Sequence, residues 1–173
     1  MKFCMKFGDT NFIGLVNASE YKSFVNEDWQ LGMLLNHFSD EMRNGNILVF
    51  EMTNRGVQHS WNIEIQIGKT DRDNKYFRSA DGYIKVTNNK LYIIDYDCLT
   101  ISAQFEDESV PDKNCSKNEI DLNNGIYKVV FDQFYNADSR EFTGKSDIDI
   151  LITLIEVSNF EVITDRVFWC TYY

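Results

Sequence analysis

Three pairs of aspartates spaced two apart, Asp71 with Asp73, Asp95 with Asp97 and Asp147 with Asp149, are the first residues whose type and spacing suit chemistry. Calcium at the end of a β-sandwich takes several oxygen ligands from neighbouring loops, so such pairs point to a C2-like calcium and lipid module. Each pair also sits at the end of an alternating apolar run, where Asp is common because its side chain shapes turns. His37 and His59 have no Cys or Ser beside them in a relay, which argues against hydrolase chemistry. Cys4, Cys98, Cys115 and Cys170 lack a C-x-x-C spacing and lie near neither histidine in sequence, so no zinc pattern is present and no metal ligand is assigned. They are expected as buried free thiols, with Cys4 and Cys170, both in apolar terminal segments, the pair placed to become neighbours. No G-x-S-x-G, phosphate-binding glycine loop, H-E-x-x-H or D-x-D-x-D-G loop occurs. The expectation is a protein with no catalysis and no cofactor of its own.

The strongest chemical signal is charge. The chain of 173 residues carries a formal charge of −10, which sets it against phosphate backbones and anionic membrane surfaces and demotes nucleic acid as a direct ligand. Residues 95–121 hold eight acids (Asp95, Asp97, Glu106, Asp107, Glu108, Asp112, Glu119 and Asp121) against Lys113 and Lys117, a net of −6. That run also contains Pro111, the only proline. It reads either as a solvated connector or as a surface that meets something positive.

The elements that must carry these residues alternate mostly with period two. NILVFEMT (46–53), SWNIEIQIG (60–68), GYIKVT (82–87), KLYIIDY (90–96), LTISAQF (99–105), GIYKVVFDQF (125–134), DIDILITLIEV (147–157) and ITDRVFWCTYY (163–173) all read as strands. In the second of these, Trp61, Ile63, Ile65 and Ile67 share one face; in the seventh, Leu151 and Ile155 make the second face apolar too, as in a central strand. Turns such as 87–90 and 122–125 separate them. Residues 28–45 differ: Leu31, Leu34, Leu35, Phe38 and Met42 recur at helical spacing, Asp28 can cap the start and Gly45 ends the run, giving a helix over about 28–43. The sum is a mainly β fold, an antiparallel β-sandwich with one packed α-helix, in a single domain over 1–173. The aromatic tail, Phe168, Trp169, Tyr172 and Tyr173, reads as the last core strand, with a carbohydrate-stacking platform as the alternative. No apolar stretch has membrane-spanning length and the N-terminus lacks a secretory h-region, so a cytoplasmic protein is expected.

The order of these elements resembles a known family. Asp28-Trp29 opening the helix, GNILVFE from Gly45, FRSADGYIKVT from Phe77 leading to NKLYIID from Asn89, IDLNNGIYKVVF from Ile120 and DIDILITLIE from Asp147 are similar to the competence nuclease inhibitors of bacteria, over about 18–157. In that family an acidic β-sandwich protein binds and blocks a DNA-entry nuclease. The chain departs from the pattern in a longer loop between Phe105 and Ile120, an extended 136–146 segment and an aromatic tail after Val157. The resemblance therefore implies an immunity or inhibitor protein whose partner is a basic bacterial toxin or nuclease, the competence enzyme or another. Glu106, Asp107, Glu108 and Asp112 are the expected contacts, Asp95, Asp97, Glu119 and Asp121 lie at the strand ends nearby, and Tyr135 is the candidate anchor. A C2-like calcium or lipid module and a carbohydrate-binding module remain the alternatives.

Overall fold

The computed structural model describes residues 1–6, 9–69 and 75–172. Along the chain the elements are β1 (Lys2–Met5), β2 (Phe12–Val16), α1 (Leu31–Asn44), β3 (Ile47–Glu51), β4 (Trp61–Ile67), β5 (Arg78–Val86), β6 (Lys90–Asp95), α2 (Tyr96–Gln104), β7 (Glu119–Asp121), β8 (Gly125–Gln133), β9 (Tyr135–Asn136), β10 (Glu141–Phe142) and β11 (Ile150–Val157). The fold is mainly β, with two helices and three sheets among the described residues, not the single helix expected. A five-stranded sheet has the order β1-β4-β11-β8-β5, a four-stranded sheet the order β3-β2-β6-β7, and β9 and β10 form a small ribbon. The expected pairing was antiparallel throughout; β4 and β11 run parallel, with Ile150 opposite Ile63 and Leu154 opposite Ile67.

Alternation sets most strand faces. Trp61, Ile63 and Ile65 are buried in β4, while Ile67 at its end is exposed. β11 lies between β4 and β8 and buries Ile150, Ile152 and Leu154 on one face and Thr153 on the other, as its doubly apolar sequence implies. The two large sheets meet through aromatic rings. Phe50 of β3 stacks on Phe131 of β8 with centroids 4.0 Å apart. At Gly82 of β5 a Cβ would stand 2.9 Å from Leu48 of β3, so a side chain there would push the sheets apart.

Helix α1 starts later than its sequence suggests. Gln30 occupies the cap position without a side-chain hydrogen bond, and the Asp28 N–H is instead held by Asn26 Oδ1 at 2.8 Å in a local turn. Its end is as expected: Gly45, at φ 76°, donates to Met42 O and Asn46 donates to Glu41 O, the double bond of a Schellman ending. Two runs of alternation do not become strands. Residues 99–104 belong to α2 and Phe105 caps its end in extended conformation, because Asp95 caps the helix start and Cys98, Leu99, Ser102 and Ala103 are buried at helical spacing. Residues 163–172 form no strand beyond one bridge of Phe168 to Phe50, and Trp169 has φ 62°, which breaks an extended run. Phe168 and Trp169 still pack on the core, against Phe50 and Phe131, so they offer no open stacking platform; Tyr172 is exposed and Tyr173 lies outside the described residues.

Arg78 fastens this C-terminal segment. Its guanidinium lies 4.0 Å from the Trp169 ring centroid, donates from Nε to Gln133 Oε1 and from Nη2 to Glu51 O, each at 2.7 Å, and is lowered to about 10 chiefly by burial. Lysine can reproduce neither the planar stack nor both hydrogen bonds. Arg78→Lys should therefore cost about 2 kcal/mol, read as a lower urea midpoint with an unchanged m-value.

Candidate protein-interaction surface

Helix α2 positions the acidic segment. Asp95 ends β6 in extended conformation and its Oδ1 accepts the Cys98 N–H at 2.9 Å, so the chain turns at once from sheet to helix. One face of α2 packs inward through Cys98, Leu99, Ser102 and Ala103. The outer face carries Asp97, Ile101 and Phe105 at four-residue spacing, all exposed, Ile101 at 42% and Phe105 at 47%. Strand alternation would have buried Ile101 and Phe105, so sequence reasoning missed them; the Asp95 cap and Asp97 in the first helical turn were the available signal. The backbone of Val25 and Asn26 donates to Ala103 O, which brings half-exposed Phe24 beside the same end of α2.

The expected contact residues divide by role. Glu106, Asp107 and Glu108 are exposed and follow directly on Phe105, and the Glu108 N–H donates back to Phe105 O at 3.1 Å. They lie just past the C-terminus of α2, whose last turn holds no basic residue, so the negative end of the helix dipole adds to their charge. Asp97 is exposed and accepts the Asp9 N–H at 2.9 Å. Asp121 is exposed opposite Lys90 in the β6–β7 pairing. Asp112 is half-buried and accepts the Cys115 N–H at 2.8 Å. Asp95 is 5% exposed, and burial pushes its carboxyl upward. Glu119 accepts from Tyr92 Oη at 2.5 Å and Lys90 Nζ at 3.1 Å. Tyr135 stacks on His59 at 4.3 Å and meets the edge of Trp61, a group that contains none of these acids.

The other chemical candidates settle differently. Asp71 and Asp73 lie outside the described residues. Asp149 is buried, accepts the Asn62 N–H and sits 3.4 Å from His59 Nε2, while Asp147 is exposed. Among the described residues neither Asp95 with Asp97 nor Asp147 with Asp149 gathers with a third His, Cys, Asp or Glu side chain around a common centre. His37 is half-buried on α1 with its ring tilted against Tyr21 at 5.8 Å. All four cysteines are free, with Cys4 exposed on β1 and Cys170 half-buried beside Glu51. Cys98 and Cys115, separated by sixteen residues, come together with Asp112, a grouping the sequence spacing concealed.

No protein-family model matches the chain, and no curated protein matches it in sequence. Among solved structures it is similar to the crystal structure of ComJ, inhibitor of the DNA degrading activity of NucA, from Bacillus subtilis, at 13% identity and a TM-score of 0.48, over 91% of this chain and 94% of that one. It is also similar to crocagin biosynthetic gene J, at 10% identity and a TM-score of 0.56, over 90% and 94% of the two chains. The second likeness is one of fold. The first coincides with the resemblance read from the sequence. No helix is long and apolar enough to cross a membrane among the described residues.

The Tyr92 hydroxyl and then the Lys90 ammonium hold the Glu119 carboxyl below its usual 4.5. A depressed carboxyl contributes stability above its unfolded pKa, and that contribution is lost as pH falls through the folded value. Tyr92→Phe should lower Tm at pH 7, and the gap to the native chain should close as pH drops below 4.5, measured by melts across a pH series.

Proposed function

We propose that this chain is an immunity or inhibitor protein that binds and neutralises a bacterial nuclease or other toxin effector through the outer face of α2 and the acids that follow it. The observation that carries the reading is the run from Asp97 through Ile101 and Phe105 into Glu106, Asp107 and Glu108: an exposed apolar strip rimmed by carboxylates, at the negative end of a helix. Stability alone disfavours such a placement, since acids at a helix C-terminus are repelled by the dipole and exposed aromatics gain nothing in water. Binding favours it. A nuclease must hold phosphate in a basic cleft, and a carboxylate-rich edge occupies that cleft as a nucleic-acid mimic while its field steers approach. Ile101 and Phe105 supply the desolvated centre that charge alone lacks.

The two large sheets act as the layers of a β-sandwich, joined by the Phe50–Phe131 stack, and the chain works as one domain in the cytoplasm with no catalysis of its own. Asp112 and Asp97 flank the contact, while Asp95 and Glu119 hold the platform beneath it. Tyr135 serves the packing around His59 and contributes to binding only if the partner reaches that side.

A DNA-cleaving nuclease is the first target to test, since the sequence resemblance implies that class. Nucleases of the source organism retained on the immobilised chain at low salt are assayed for DNA cleavage, and one equivalent of the chain should abolish the activity of the cognate enzyme. A folded chain that retains no nuclease or toxin, or leaves every retained one fully active, overturns the reading. With the partner in hand, replacing Glu106, Asp107 and Glu108 by Lys should slow association at least about tenfold at low salt and flatten its salt dependence, with Tm unchanged or raised. Phe105→Ala should act on dissociation instead, weakening affinity by about 2 kcal/mol, or roughly 30-fold, in surface plasmon resonance.

A further inference from the structure

We propose that Cys98, Asp112 and Cys115 form a binding site for a divalent cation of the zinc class. Cys98 Sγ, a carboxylate oxygen of Asp112 and Cys115 Sγ lie within 4.8 Å of one another. Tetrahedral zinc with bonds of about 2.0–2.3 Å sets its ligands roughly 3.3–3.8 Å apart, so small side-chain rotations bring these three atoms onto one centre. Two sulfurs select a thiophilic ion over calcium or magnesium, which take oxygen.

Polar groups converge on the two buried sulfurs, and the hydrogen bond with Cys98 and then burial push the Cys115 thiol up, so the pair is held as thiols until a cation displaces the protons. Cys98 is the third residue of α2, at the positive end of that helix, and the Asp112 N–H is aimed at its sulfur at 3.3 Å. The Asp112 carboxylate is itself oriented by the Cys115 N–H at 2.8 Å and by Asn114 Nδ2 at 3.3 Å. Asp95, whose carboxylate meets the Cys115 thiol, stands behind the pair as an orienting group. A cavity of about 30 Å³, lined by Asp95, Asn114 and Cys115 with Lys6 and Lys117 also at its wall, has room for a water or a single ion and reaches the proposed site at Cys115 alone. On binding, the cation takes both sulfurs as thiolates, the two thiol protons pass to solvent and no electrons move. The bound ion would tie the start of α2 to the 112–115 turn and so close the segment that carries Glu106, Asp107 and Glu108. The site stands on its own ligands and does not depend on the inhibitor reading.

The test uses the full chain, reduced and stripped of metal, titrated with Co²⁺ and then Zn²⁺. A thiolate-to-cobalt charge-transfer band should saturate at one Co²⁺ per chain and disappear as zinc displaces cobalt. Zinc at a hundredfold excess over its Kd should raise Tm by about 5–10 °C. Cys98→Ser and Cys115→Ser should abolish the band, and Asp112→Asn should weaken zinc binding about tenfold or more. Should a serine variant fail to fold, the native chain supplies a second readout: zinc should slow alkylation of Cys98 and Cys115 at least about tenfold while Cys170 labels at an unchanged rate. Absence of both the band and the Tm shift overturns the proposal. So does a Cys98–Cys115 disulfide that forms under a thiol oxidant as fast with zinc as without it.

Discussion

Asp95 ends β6, caps α2 through the Cys98 N–H and meets the Cys115 thiol, and these contacts together fix everything on the acidic side of the fold. A carboxylate is costly to desolvate, and the burial of Asp95 shows in a carboxyl pushed upward against the pull of the helix N–H. What the chain gains is direction. With the cap at Asp95, α2 must begin at Tyr96, and its phase then decides which residues face the core and which face water. Shifting that phase by one residue would bury Asp97 and expose Leu99. The outer line of Asp97, Ile101 and Phe105 is thus a geometric consequence of one capping bond.

The same residue explains where the sequence was readable and where it was not. Strand β4 carries clean alternation, β8 and β11 carry β-branched apolar runs with a second buried face, and α1 carries apolar residues at three and four that end in a glycine at φ 76°. Residues 99–105 satisfy both periods at once: Leu99, Ile101 and Ala103 alternate, while Cys98, Leu99, Ser102 and Ala103 repeat helically. A cap breaks the tie, but Asp95 also looks like a ligand in a D-x-D pair, and read that way it loses its meaning as a helix start. The aromatic tail misled for a different reason. Its alternating rings do reach the core, yet they are held by stacking on Phe50 and by Arg78, not by a strand ladder. The short β1 and β2 were invisible as strands because β2 is apolar on both faces and β1 sits at an edge. Tertiary packing, which leaves no period in the sequence, defines both, as it does the meeting of Cys98 and Cys115.

Charge on this molecule is distributed in two ways that should be kept apart. Some acids are engaged: Glu119 between Tyr92 and Lys90, Asp149 beneath the Asn62 N–H, Asp95 at the cap. These contribute to the fold through their own hydrogen bonds. Glu106, Asp107 and Glu108 project past the end of α2, where the local field of the helix opposes them. Sequence sets Glu106, Asp107, Glu108 and Asp112 apart as contacts from Asp95, Asp97, Glu119 and Asp121 nearby, without showing which are hydrogen-bonded. The fold adds which carboxylates are hydrogen-bonded, Asp95, Asp112 and Glu119, and which project into solvent, Glu106, Asp107 and Glu108.

Projection alone does not make a good binding surface, because a loop that must be ordered on contact loses part of its interaction energy to entropy. The acidic segment is restrained before any partner arrives. The Glu108 N–H returns to Phe105 O, Val110 is buried at 7% exposure, the Asp112 N–H reaches Cys98 Sγ and the Cys115 N–H reaches Asp112. Between Phe105 and Val110 the chain is therefore anchored at both ends over a span of only a few residues. Its carboxylates keep their side-chain freedom while the backbone does not wander. The result is a short acidic arc with fixed ends beside an apolar strip on α2, and in the inhibitor reading we propose, that pre-ordering would let long-range attraction end in a defined contact.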